Sequence, residues 1–331
     1  MHTDLDGAVH IACLVADFDW TWAMEDVQRF SDAAGWTVVG QLPREHGADL
    51  RTGLDLQDTY ARAIYGRAFL EREGFPDQLV TEILVPVTDW MKDTTPERHR
   101  SLTNAFAELS DRLVAALGRP TKPRPGVLPE VRWTLSTAVL TLRMNDQSVE
   151  LRIVNPVHQQ WWDSWVAHDD EDEPVADTAD EDLEALPDRP RSWPEFSSAL
   201  TLTLNRLRSD EQLVLTMGQE GIAQFEMDWF KIGCFVRAGM SGGAVQPIPH
   251  ADRAVMTANN WHAGAGPNEG WWERTMRWPA RYEEFEAAAD AVSLALRDII
   301  GIGSPTDLQV TGWNNASDYS YPDITAFGVH R

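Results

Sequence analysis

The chain has 331 residues, 43 % of them hydrophobic, with 28 Lys or Arg against 52 Asp or Glu and a net charge of -24. That length suits two hydrophobic cores, and the apolar share is ordinary for a globular protein. So acidic a composition disfavours nucleic acid or an anionic membrane surface as partner, because phosphate contacts need clustered Lys and Arg; a basic client would instead be steered in.

Cys13 and Cys234 are the only cysteines. They offer no disulfide framework and no Cys-rich metal site, which suits a reducing cytosol. The opening residues Met1 to Asp6 are acidic and lack the basic region of a signal peptide. No apolar run is long enough for a transmembrane helix. These readings give a cytoplasmic protein with no membrane partner and no cofactor.

In the first half, Ala23, Val27, Phe30 and Ala34 recur at helical spacing, and Gly35 stands where a left-handed cap belongs. Trp36 to Val39 turns to strand-like composition. Residues 51–56, 59–65 and 79–87 are further strand candidates, although 61–73 also fits a short helix. Thr95-Pro96-Glu97 predicts a helix start, with a cap, a first-turn proline and an acid at the positive end of the dipole. Leu102, Phe106, Leu109 and Leu113 give that helix its apolar face, and Gly118 and Pro120 stop it. Residues 119–129 hold four prolines and read as an extended or turned loop. Strands are predicted at 131–133, 139–144 and 149–154, the last two joined by an Asn145-Asp146-Gln147 turn.

Residues 169–188 carry 11 Asp or Glu and no Lys or Arg. A stretch so self-repulsive and so poor in aromatics reads as a solvated linker. The expected division is an N-terminal α+β domain at 1–167, an acidic linker at 168–190 and a C-terminal α+β domain at 191–331.

In the second half, Ser192-Trp193-Pro194-Glu195 fits a capping box ahead of Phe196, Leu200, Leu204 and Leu207. Strands are predicted at 212–217, 222–227 and 231–237. Residues 239–249, rich in Gly and Pro, read as loop. A helix over 281–300 and a short strand at 308–310 follow. The expected architecture is two similar α+β folds, each a mostly antiparallel sheet with helices packed on one face.

Two resemblances rest on quoted residues. Asp19-Trp20-Thr21-Trp22, Gly35-Trp36, Leu117-Gly118-Arg119-Pro120-Thr121 and Pro129-Glu130-Val131-Arg132-Trp133 make residues 18–165 similar to an actinobacterial domain family of uncharacterised function. The 193–207 helix, Gln212-Leu213-Val214-Leu215, Gln224-Phe225, the Trp261 loop and Leu296 to Gly301 before Ser304-Pro305 carry the other. Through them, residues 192–313 resemble actinobacterial domains grouped with type III secretion chaperones and YbjN-like proteins, the peptide-binding TY-Chap families. That resemblance implies a chaperone-like peptide groove, with secretion or toxin–immunity systems as its setting.

Catalytic signals are sparse. Gly239-Met240-Ser241-Gly242-Gly243 fits G-x-S-x-G, whose nucleophile elbow needs a strand before it and a helix after it. Ala244 to Pro249 makes a poor helix start, so a Gly-rich turn is the preferred reading and a Ser241 hydrolase the alternative. The nine histidines are scattered, so surface or capping positions are the preferred reading, with metal ligation by a subset brought together in space as the alternative.

The 15 tryptophans are harder to set aside. Trp161, Trp162 and Trp165 suit a domain contact as well as they suit a ligand. Trp261, Trp271, Trp272 and Trp278 lie in or beside a loop rich in Gly and Asn, where aromatics fold the loop or anchor a partner. Alternation along residues 222–229 places Ala223, Phe225, Met227 and Trp229 on one face. The resulting expectation is a non-enzymatic protein or peptide binder, chaperone-like or immunity-like, acting on a secreted effector or toxin. Its candidate partner-binding residues are Trp261, Trp271, Trp272, Phe225 and Trp229.

Overall fold

A computed structural model describes residues 1–42, 47–57, 60–66, 79–92, 95–172, 187–218, 220–238, 240–241, 244–245, 248, 250–314 and 322–329. The chain divides into two compact units, Met1–Pro123 with Leu128–Glu173, and Arg124–Val127 with Pro174–Arg331.

The first unit opens with helix α1 (Leu5–Asp17), capped by the Asp4 carboxylate, which accepts from the Gly7 N–H. This helix was not among the predicted elements. His10 interrupts the apolar run but lies on the exposed side, while Ala8, Ile11, Ala12 and Val15 face inward at helical spacing. Helix α2 (Glu25–Ala34) ends at Gly35, which adopts a φ of 68° at no steric cost because it has no Cβ. The Asp19–Trp22 motif is structural. The buried Asp26 carboxylate accepts from the Thr21 and Trp22 N–H groups at 2.6 and 2.7 Å, and the Trp22 indole donates to the Thr137 carbonyl. Trp20 stacks on Trp22 with ring centroids 4.8 Å apart.

Strands β1 (Thr37–Leu42), β2 (Gly47–Arg51), β3 (Ala61–Tyr65), β4 (Val80–Pro86), β5 (Lys122–Arg124), β6 (Glu130–Thr134), β7 (Val139–Met144) and β8 (Val149–Val154) form one sheet. Its order is β1-β2-β3-β4-β8-β7-β6-β5. The predicted 51–56 strand is displaced: Arg51 ends β2, and residues 52–56 leave the sheet. Residues 61–65 are strand, and 67–73 of the helical alternative lie outside the described residues. The cross-strand row Trp133, Leu140, Ile153, Ile83 and Ala63 is buried throughout. Helix α3 (Pro96–Leu117), capped by Thr95, packs on α1, β7 and β8. Helix α4 (Pro156–Asp172) brings Asp163 to the Arg132 guanidinium at 2.7 Å. It runs into the first residues of the acidic stretch.

The second unit begins with helix α5 (Trp193–Arg206), whose Ser192/Glu195 capping box is formed. Strands β9 (Glu211–Met217), β10 (Glu220–Asp228) and β11 (Lys231–Val236) make an antiparallel meander. The expected loop at 239–249 instead contains a two-stranded hairpin, β12 (Met240–Ser241) with β13 (Ala244–Val245). Helix α6 (His250–Ala258) follows. The tryptophan loop likewise contains strands β14 (His262–Ala263) and β15 (Trp272–Arg277). Helix α7 (Tyr282–Leu294) passes into one π-helical turn, Ala295–Ile299. Strand β16 (Gln309–Asn314) begins one residue after Leu308 and runs well beyond the predicted 308–310. The six-stranded order is β14-β15-β11-β10-β9-β16, with every pair antiparallel. Helices α5 and α7 pack together, tied by the Ser197 hydroxyl donating to the Asp290 carboxylate, and α7 lies on β11.

Candidate functional site

The two faces of the six-stranded sheet differ in kind. On one, Leu213, Phe225 and Cys234 form a cross-strand row, all buried, and Leu215, Ala223 and Val236 form the next. Burial pushes the Cys234 thiol up to about 12, as an apolar surrounding does to any group that must ionise. This is the face against which α7 packs.

The other face is polar and half-exposed. One row runs Trp313, Gln212, Glu226, Gly233, Thr275. The next runs Thr311, Val214, Gln224, Phe235, Glu273, His262. Asp228, Lys231 and Arg277 form a third at the hairpin end. The Phe235 ring lies back over Gly233, where an added Cβ would stand 2.7 Å from the ring and 3.4 Å from the Glu226 side chain. Glycine at 233 is therefore what lets the ring lie flat. Burial first, then the neighbouring Asp228 and Glu273 carboxylates, hold the Glu226 carboxyl above its usual range.

The candidate residues separate on this sheet. Trp272 pairs with Val236 and so shares the helix-side face, where it is half-buried. Trp271 stands one residue earlier, just before β15, and alternation from Trp272 places it on the polar side. There the Arg237 guanidinium lies over its ring at 4.5 Å. Trp261 and Phe225 are wholly buried, the first beneath the end of α6, where its backbone N–H donates to the Met256 carbonyl. Trp229 is 60 % exposed in the two-residue turn between β10 and β11, at a φ of 49°. Trp278 is buried, and its backbone N–H donates to the Phe230 carbonyl. The structure thus leaves Trp229 exposed and Trp271 half-buried beneath Arg237, and it buries Trp261 and Phe225. Two residues that the sequence reading missed also lie on this face, the half-buried Phe235 and Trp313, the latter 40 % exposed on the edge strand β16. An aromatic two residues after a glycine in a strand was the available signal for Phe235.

Ser241 sits in the β12–β13 hairpin, opposite Ala244, and α6 begins only at His250. That is not a strand-to-helix elbow. Gly239, Gly242 and Gly243 lie outside the described residues. Among the described residues no group of His, Cys, Asp and Glu could hold a metal ion, and no helix is long and apolar enough to cross a membrane.

Two known families divide the chain. Residues 187–314 match the T3SS (YopN, CesT) and YbjN peptide-binding chaperone 3 family. Residues 6–155 match a family of unknown function, DUF6301. The C-terminal region is therefore a chaperone-family domain, and that assignment points away from catalysis. No curated protein and no solved structure matches the chain significantly.

Proposed function

We propose that this protein holds an extended protein or peptide client on the polar face of its C-terminal sheet, without catalysis. The observation that supports this most is the coincidence of a peptide-binding chaperone domain with a sheet face whose described side chains are mostly polar and half-exposed. Trp271 and Trp229 would touch the client, while Trp272, Trp261 and Phe225 would hold the surface in shape. The client we favour is a secreted effector or toxin, masked in the cytoplasm by a chaperone-like or immunity-like partner. Complementary charge between an acidic holder and a basic client would speed their association.

An array of short extended peptides, probed with the full chain and with Trp271→Ala, tests the reading. Loss of an aromatic anchor typically costs about 2 kcal/mol or more in binding. The expected result is weaker capture with a nearly unchanged melting temperature. A large drop in stability with intact capture per folded molecule would make Trp271 a folding residue and remove it from the site.

A further inference from the structure

We propose that the polar face selects a client segment carrying a Lys or Arg, seated over the Phe235 ring between Glu226 and Glu273. The proposal rests on the chaperone reading and gives it a chemistry.

Phe235 and Glu273 are directly paired across β11 and β15, and Glu226 is paired with Gly233 across β10 and β11. The ring is folded back over Gly233, where the Glu226 side chain also lies. A ring face bordered by carboxylates is the arrangement that attracts a cationic side chain, through the ring quadrupole and through charge-assisted hydrogen bonds. Of the basic groups on this face, His262 is paired with Glu273 across β14 and β15, on the side away from Phe235. Lys231 and Arg277 stand in the row of Asp228, and Arg237 is engaged with Trp271. The influences on the Glu226 carboxyl beyond burial both come from other carboxylates, so the local field there is negative.

Trp271, just before β15, and Trp313, on β16, flank the seat, and these strands stand four strand spacings apart in the sheet order. That is about 20 Å, or roughly six extended residues. A segment of that length crossing the face would set its cation at the centre and its apolar side chains near the two tryptophans.

The test uses fluorescence anisotropy of the full chain at physiological salt with three labelled probes, alternating Lys–Val, Ser–Val and Glu–Val peptides of equal length. The Lys–Val probe is expected to bind best. Glu226→Gln with Glu273→Gln should weaken it about tenfold or more, the scale of one lost charge-assisted contact. A charge-matched control, Glu269→Gln with Glu283→Gln, should leave it within about twofold. Phe235→Leu keeps the apolar volume, removes the ring and should weaken the same probe severalfold, an independent check if the paired variant melts early. Equal losses in the site and control variants would mean diffuse charge attraction and overturn the seat. Equal binding of Ser–Val and Lys–Val would overturn the cation preference and leave the chaperone reading intact. Binding of none of the three probes would overturn both.

Discussion

Single carboxylates show how the polar faces are tuned. Glu150 stands opposite Arg143 on β7 and near Arg152, yet burial outweighs both cations and holds its carboxyl above the ordinary range, with Glu82 adding to the upward shift. The folded state therefore binds this proton more tightly than the unfolded chain does. Ionising Glu150 costs stability above the folded-state pKa, and the cost fades as pH falls towards the unfolded value. Glu150→Gln should accordingly raise the melting temperature near neutral pH and change nothing in acid. Thermal melts at the two pH values check this. A lower melting temperature near neutrality would mean that the ion pairing with Arg143 and Arg152 outweighs the desolvation. Glu226 shows the same direction of shift with carboxylates and not guanidinium groups around it, which is why its neighbourhood suits an incoming cation.

At the scale of elements, the turn between β10 and β11 carries an unusual residue. Trp229 occupies the left-handed region, where a bulky side chain is disfavoured, and it is exposed, so no core packing offsets the conformation. Asparagine tolerates a positive φ far better than tryptophan. Trp229→Asn should relieve about 1 kcal/mol of backbone strain and raise the melting temperature, yet weaken peptide capture. Unchanged capture in the stabilised variant would reduce Trp229 to a turn residue. What was legible in the sequence follows the same local logic. The Ser192/Glu195 box, the Thr95 cap and the Gly35 stop are written in adjacent residues, and α5, α3 and α2 begin or end there. Strands β7 and β8 were equally plain, since a polar Asn145 turn separates two apolar runs; its carboxamide oxygen accepts from the Gln147 and Ser148 N–H groups. Strand β15 was hidden because its residues are half-exposed on both faces and Gly270 precedes them. Alternation failed at Ile222, where a bulge against β9 turns both Ile222 and Ala223 inward. Trp313 was missed because nothing local extends a strand past Val310; its pairing with Gln212 is a long-range property of the sheet.

Over the whole molecule, charge and division belong together. The acidic stretch at 169–188 supplies 11 of the acidic residues in a chain of net charge -24, so the two units keep a much milder balance of their own. Each unit has its own sheet and its own buried rows, the structural condition for folding alone. Cleavage between them should then leave two folded fragments. Glu173, Glu181 and Glu184 offer a Glu-specific protease its targets in that stretch. Brief digestion of the full chain should give two resistant bands, and each purified fragment should unfold cooperatively. The cut is a demanding one, because Arg124–Val127 group with the second unit and would remain on the first fragment. If the second fragment melts well below the intact chain while the first is unchanged, that short segment is part of the second unit's stability, and rejoining residues 124–127 to it should restore the difference. First cuts elsewhere, or the collapse of both halves on cleavage, would show instead that the units depend on one another. The peptide capture proposed for the C-terminal sheet would then have to be measured only on the intact chain.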